Sequence, residues 1–94
     1  MKGESVYKVP NGKLVKISLE SDEGIIRAIS ITGDFFIHPE EGIDIIEKGI
    51  RGKKISGDLE NEIMKSIENK GIVMVGINAE AIAHAIRLAA GVVI

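Results

Sequence analysis

The chain has 94 residues, a length that fits one domain built around a single hydrophobic core. Hydrophobic residues make up 45% of it and its formal net charge is −2, so we expect neither a disordered chain nor a nucleic-acid-binding protein, which normally needs a basic face. The absence of cysteine excludes disulfides, thiol catalysis and cysteine-ligated zinc or iron–sulphur sites.

The N-terminal stretch MKGESVYKVP lacks the apolar segment that a signal peptide needs. The longest apolar runs, such as GIVMVGI, are too short to span a bilayer. We therefore expect a cytoplasmic protein that has no membrane partner.

The first third of the chain predicts β-structure. The stretch VYKVPNGKLVKISL has two apolar-rich arms around Pro10-Asn11-Gly12, and Asn-Gly supplies the positive φ angles of a tight reversal. A second turn cluster, SDEG, precedes IIRAISIT, whose imperfect alternation predicts a strand covered on both sides for part of its length. The simplest interpretation is an antiparallel meander of three strands.

Helical spacing of apolar residues replaces alternation in the rest of the chain. The first helix is predicted to start at Pro39 and to end at Gly49 or Gly52. Asp58 is the predicted cap of a second helix that stops at Gly71, and Asn78 is the predicted cap of a third that runs to about Ala90. In the third helix Glu80, His84 and Arg87 form one polar stripe and the other residues are nearly all apolar, so this helix is either central or covered by another surface. The sequence thus predicts one α+β domain over residues 1–94, with two layers: a three-stranded antiparallel meander followed by about three helices.

The stretch GIRGKKISGD suggests a phosphate-binding loop, but its spacing does not fit one. Lys53 is followed by Lys54 rather than Ser or Thr, and Glu47 stands where the upstream glycine is required. We interpret the stretch as a solvated basic loop. A functional alternative is that Arg51, Lys53 and Lys54, together with Lys48, face an acidic partner or a nucleotide bound elsewhere.

The sequence carries no recognisable catalytic or metal-binding pattern. His38 and His84 lie far apart, and neither has a second His or Cys at metal-binding spacing. No nucleophile elbow or Ser–His–Asp order is present. We therefore predict no catalytic residue and no metal site on this chain.

Both phenylalanines stand at one joint, in SITGDFFIHPEEG. If this segment is extended, Phe35 and Phe36 point to opposite faces, so one ring anchors the core and the other needs a cover from a helix or a partner protein. The alternative is that helices on each side bury both rings. We favour Phe36 as the core ring. Asp34 either accepts backbone N–H groups at the turn or forms a hydrogen bond across an interface.

The run NGKLVKISLESDEGIIRAISITGDFFIHPEEGIDIIEKGIRG resembles the C-terminal accessory domain of lipoate-protein ligase. In that family a strand, a Gly-Asp-Phe-Phe joint, a Pro-led helix and a Gly-ended helix follow one another in this order. The chain length is also similar to the form in which this domain is a separate small chain beside a larger catalytic chain. Residues 11–52 carry the resemblance, and residues 53–94 fit the expected helical remainder without a diagnostic motif.

The resemblance implies a division of labour between two chains. The large chain would bind ATP, Mg and lipoate, hold the catalytic lysine and form lipoyl-adenylate. The small chain would carry no cofactor, pack against the large one as a heterodimer and be required for the adenylate-forming step. It would serve lipoyl-acceptor proteins only indirectly. Gly33, Asp34, Phe35 and Phe36 match the family joint and are the predicted partner interface.

Two alternatives come from other classes. One is a free-standing protein-interaction or small-metabolite binding module, which would need a convergent polar pocket. The other is a scaffold related in fold to iron–sulphur assembly domains, although the absence of cysteine excludes cluster ligation here.

Overall fold

Three long strands open the fold, and three helices with two short strands complete it. A computed structural model describes residues 1–91, so the last three residues of the predicted domain, 92–94, lie outside the described residues. The elements in chain order are β1 (Lys2–Lys8), β2 (Leu14–Asp22), β3 (Ile25–Gly33), β4 (Phe36–His38), α1 (Gly42–Ile50), α2 (Leu59–Lys70), β5 (Val73–Val75) and α3 (Ala79–Ala89).

The three long strands form an antiparallel sheet in the order β1-β2-β3, which confirms the predicted meander. Along β2, Val15, Ile17 and Leu19 are buried and the residues between them are exposed, so helices cover one face of the sheet and the other face meets solvent. The first turn places Asn11 at a φ of 59°. The second is a tight turn in which Glu23 and Gly24 have φ angles of 50° and 77°.

A bulge explains the imperfect alternation of β3. Glu20 pairs with Ala28 and Ser21 pairs with Ile26, so Arg27 is an extra residue on β3. The bulge shifts the phase of the strand, and Ile26 and the later isoleucines all point into the core. Arg27 and Ala28 are exposed and Ile25 is half-buried, so the predicted cover on both sides is limited to the start of the strand.

The caps predicted for the second and third helices are present. Asp58 Oδ1 accepts the N–H of Asn61 at 3.1 Å, and Asn78 Oδ1 accepts the N–H of Ala81 at 2.8 Å. Each bond satisfies one of the donors that the first turn of a helix leaves free. α2 ends where Gly71 adopts a left-handed conformation with a φ of 62°.

The predicted start of α1 was wrong. Pro39 follows a cis peptide bond and lies in a turn, because the N–H of Gly42 donates to the carbonyl of Pro39 at 2.9 Å. The helix therefore begins at Gly42 and ends at Ile50. Gly49, one of its two predicted ends, lies inside the helix, and Gly52 follows it with a φ of 86°.

α3 is the central helix, as its apolar composition indicates, and seven of its eleven residues are buried. The hydroxyl of Ser5 in β1 donates to the carbonyl of Ala85 at 2.7 Å. At Gly3 the helix comes so close that an added Cβ would overlap the carbonyl of Ala89. Small residues on both elements thus allow α3 to pack directly under the sheet. None of the described helices is long and apolar enough to cross a membrane.

A small ribbon of two antiparallel strands, β4 and β5, lies beside this core and was not predicted. Its register pairs Phe36 with Val75, Ile37 with Met74, and His38 with Val73. The stretch GIVMVGI contains β5 and is too short for a helix. Gly71 and Gly76, both at positive φ, lie on either side of β5. Those two glycines were the signal for an isolated strand.

Replacing the cap of α3 tests how far this helix supports the fold. We expect Asn78→Ala to lower the free energy of unfolding by about 1 kcal/mol, because one helical N–H loses its acceptor. Urea unfolding followed by circular dichroism measures the change. Asn69→Ala, at an exposed position of α2, is the matched control and should have little effect. Equal losses in the two variants would contradict a capping role for Asn78.

Candidate functional site

One face of the ribbon is apolar and open to solvent. Because side chains alternate along each strand, the register places Phe36, His38, Val73 and Val75 on the same face. We call these four residues the apolar ribbon face. Phe36, Val73 and Val75 are 63%, 57% and 59% exposed. Three adjacent large apolar side chains left in water are typical of a surface that a partner covers.

The opposite face of the ribbon holds it to the body of the domain. Ile37 and Met74 are half-buried and pack against the core. Gly42, at the start of α1, lies so close to Ile37 that an added Cβ would come within 2.9 Å of its side chain. The N–H of Lys13 in the first hairpin donates to the carbonyl of Gly76 at 2.8 Å. The ribbon face is therefore presented by a packed scaffold.

The two phenylalanines do point in opposite directions, but in the reverse of the favoured order. Phe35 is half-buried and packs against the core, whereas Phe36 is 63% exposed. The alternation of β3 continues through the joint without a change of phase, so Ile31, Gly33 and Phe35 share the inner side. The preference for Phe36 as the core ring was wrong, and the alternative with both rings buried is also excluded.

Asp34 and Gly33 have structural roles in this joint. Asp34 Oδ1 accepts the N–H of Leu14 at 2.7 Å, and the N–H of Asp34 donates to the carbonyl of Leu14 at 3.3 Å. A Cβ at Gly33 would overlap that same carbonyl and would lie 2.9 Å from the ring of Phe35. Asp34 thus binds backbone, although on the neighbouring strand rather than in its own turn.

Of the four residues predicted as a partner interface, Phe36 alone belongs to the apolar ribbon face. Sequence reasoning missed the valines of β5 because they are separated from Phe36 by more than 35 positions and meet it only through strand pairing. Contact of Gly33, Asp34 and Phe35 with a partner stays a prediction.

The basic loop is part of the edge of the sheet. The N–H of Ile26 donates to the carbonyl of Lys53 at 3.0 Å, and the N–H of Gly52 donates to the carbonyl of Ile26 at 2.8 Å. Lys53 Nζ lies 3.6 Å from a carboxylate oxygen of Glu62. Arg51 and Lys54 are exposed. A role for Arg51, Lys53 and Lys54 towards an acidic partner or a nucleotide stays a prediction.

A polar cleft of about 490 Å³ lies between the first hairpin, α2 and α3. Two contacts within the protein lie in this cleft: the ring of His84 lies 4.5 Å from that of Tyr7, and Arg87 Nη2 donates to the carbonyl of Gly57 at 2.9 Å. His38 lies apart, on the ribbon. In residues 1–91, no three His, Asp or Glu side chains are grouped as metal ligands.

Comparisons with known proteins identify relatives of the whole domain. The family model described as "Bacterial lipoate protein ligase C-terminus" matches residues 7–86. Lipoate-protein ligase A subunit 2 of Thermoplasma acidophilum is 33% identical over 82 residues, which cover 87% of this chain and 84% of the relative. A chain from the solved structure of an archaeal lipoylation system, a bi-partite lipoate protein ligase and its lipoyl domain from Thermoplasma acidophilum, superposes with a TM-score of 0.81. The two chains are 30% identical, and the match covers 93% of this chain and 96% of that one.

The two rings of the joint should differ in their effect on stability. We expect Phe35→Ala to lower the free energy of unfolding by about 2–4 kcal/mol, less than a fully buried ring because Phe35 is half-buried. Phe36→Ala should change it by less than about 0.5 kcal/mol, since its ring is mostly in water already. Urea unfolding of the isolated chain measures both. Large losses in both variants would place the two rings in the core and contradict the geometry.

Proposed function

The chain belongs to the family of bacterial lipoate protein ligase C-terminal domains, and we propose that it is the non-catalytic small subunit of a two-chain lipoate-protein ligase. In this role it is required, with the large chain, for the ATP-dependent activation of lipoate to lipoyl-adenylate. The large chain then transfers the lipoyl group to a lysine of an acceptor protein. The observation that carries this proposal is the match over 84% of a relative that is itself named as the second subunit of a ligase.

The division of labour assigns the chemistry to the large chain. ATP, Mg and lipoate bind there, and this chain contributes no cofactor site and no catalytic group. The spacing of the basic loop supports this assignment because it lacks the Ser or Thr and the upstream glycine of a phosphate-binding loop. The small chain would then act by holding the large chain in the conformation that forms the adenylate.

The apolar ribbon face is the surface that we assign to the large chain. Covering the ring of Phe36 and its two valine neighbours removes apolar area from water, and one such ring contributes about 2 kcal/mol when fully buried. The packed scaffold behind the ribbon keeps the ring in place before the chains meet, so little ordering is required on binding. The bi-partite ligase of Thermoplasma, which has a structurally similar chain, supports a partner of this kind.

The two half-reactions should depend differently on this chain. Adding it to the large chain should switch on lipoate-dependent exchange between ATP and pyrophosphate, because that exchange requires adenylate formation. Transfer from preformed lipoyl-adenylate to an acceptor protein should depend on it much less. Calorimetry of the isolated chain with ATP is the control and should show no micromolar binding. Equal stimulation of both half-reactions would contradict a role confined to activation.

The assembly should depend on the ribbon face and not on other exposed apolar residues. We expect Phe36→Ala to weaken binding of the large chain by about 2 kcal/mol, or roughly 30-fold in Kd, as buried aromatic residues do at interfaces. Met64→Ala is the matched control, because Met64 is an exposed apolar residue on α2, and its Kd should not change. Titration calorimetry gives both values. If Met64→Ala weakens the complex and Phe36→Ala does not, the interface lies elsewhere.

A further inference from the structure

The β1 strand forms an open edge of the main sheet. Met1 and Ser21 exchange two hydrogen bonds, at 2.7 and 2.8 Å, and the N–H of Val9 donates to the carbonyl of Lys13 at 3.0 Å. Odd-numbered residues therefore bond to β2, and the backbone groups of the even-numbered ones point away from the sheet. Over the described residues, nothing in the protein pairs with the outward backbone groups of Lys2, Glu4, Val6 and Lys8. Val6, at the middle of this edge, is 63% exposed.

The opposite edge, β3, is covered by the protein itself. The basic loop pairs with Ile26 through the two backbone bonds already described, and Glu47 Oε2 accepts the N–H of Ile31 at 2.8 Å. A side-chain carboxylate and a loop thus occupy the positions at which another strand would bind. Proteins commonly protect a sheet edge in this way. Because β3 is covered and β1 is not, β1 is the edge of the sheet at which a strand of another molecule can pair.

The charges on β1 select one self-pairing register. An antiparallel second copy must place outward-facing even residues opposite each other to exchange backbone bonds. The register centred between Glu4 and Val6 places Lys2 opposite Lys8, and the register centred on Glu4 places the two Glu4 side chains opposite each other. The register centred on Val6 places the two Val6 side chains opposite each other and Glu4 opposite Lys8 on both sides of the axis. Of the registers that pair five or more residues, it alone opposes unlike charges and no like ones.

We propose that a second copy of this chain pairs with β1 across a two-fold axis at Val6. The pairing joins two three-stranded sheets into one continuous sheet of six strands. Charged residues usually protect an open edge from such pairing, but here their signs alternate so that one register is attractive. Lys8 Nζ already donates to the carbonyls of Val9 and Gly12, and its third proton is free for Glu4 of the second copy.

The helices beneath the sheet fit this arrangement. The two-fold axis is perpendicular to the sheet, so α3 of each copy lies on the same side. α3 packs against both β1 and β2, which places it over their boundary. With strands about 4.8 Å apart, the two copies of α3 would lie about 10 Å apart, a distance at which helices pack. Leu88, which is 39% exposed, would be partly covered there together with the Tyr7–His84 pair.

A charge-swap experiment tests the pairing. Sedimentation velocity of the isolated chain over a concentration series should show a monomer–dimer equilibrium. We expect Glu4→Lys to raise the dimer Kd about tenfold or more, because it places a lysine opposite Lys8 of the other copy on both sides of the two-fold axis. The double variant with Glu4→Lys and Lys8→Glu should restore the Kd to within about threefold. Glu20→Lys, the same charge change on the middle strand, is the matched control and should leave the Kd unchanged. Thermal melts establish that each variant is folded.

Amide hydrogen exchange gives a second readout that depends on the register. The amides of Glu4, Val6 and Lys8 should exchange slowly at high chain concentration and quickly at low concentration. A chain that stays monomeric at millimolar concentration overturns the proposal. So does a dimer in which the single and double charge variants weaken association equally. Protection of these amides only when the large ligase chain is added would assign the edge to that chain and would also overturn the proposal. The first two outcomes concern the isolated chain alone, so they do not depend on the proposed ligase function.

Discussion

The bonds between Leu14 and Asp34 determine which surface this domain presents. Asp34 is fixed to β2 through its side chain at 2.7 Å and through its own N–H at 3.3 Å, at the point where β3 ends. This attachment sets the phase of the side-chain alternation where the chain leaves the sheet. The ring of Phe35 therefore points to the core and the ring of Phe36 points to solvent. The β4–β5 ribbon and its apolar face follow from that phase, because β5 pairs with the strand that Phe36 begins. A single carboxylate therefore links the packing of the main sheet to the exposed ribbon.

Two exposed surfaces distinguish this domain. Its helices cover one face of the sheet, and in its polar cleft the ring of His84 packs against Tyr7 while Arg87 donates to the carbonyl of Gly57. The ribbon face and the β1 edge are different in kind: the first offers apolar area, and the second offers backbone hydrogen bonds with alternating charge. In the proposed function, the small subunit supports a catalytic partner through surfaces of this type.

Local patterns in the sequence predicted local features well. The meander, the caps at Asp58 and Asn78 and the stop at Gly71 each depend on a few neighbouring residues whose preferences agree with the fold. The start of α1 was misplaced because the turn after Pro39 is closed by a backbone bond that no residue type announces. Pairing of β4 with β5 brings together residues far apart in sequence, and alternation alone does not reveal it. Of the apolar ribbon face, the predicted interface therefore included Phe36 and missed the two valines of β5.

Site-specific photocrosslinking from the ribbon tests the central claim most directly. A benzophenone amino acid placed at Val75, whose side chain shares the exposed face with Phe36, should crosslink to the large ligase chain in the assembled enzyme. The same group at Thr32, exposed on the outer face of the main sheet, should not. Efficient crosslinking from Val75 alone is the result that the account predicts. Crosslinking from Thr32 without any from Val75 would contradict it, because the large chain would then cover the sheet and leave the ribbon in solvent.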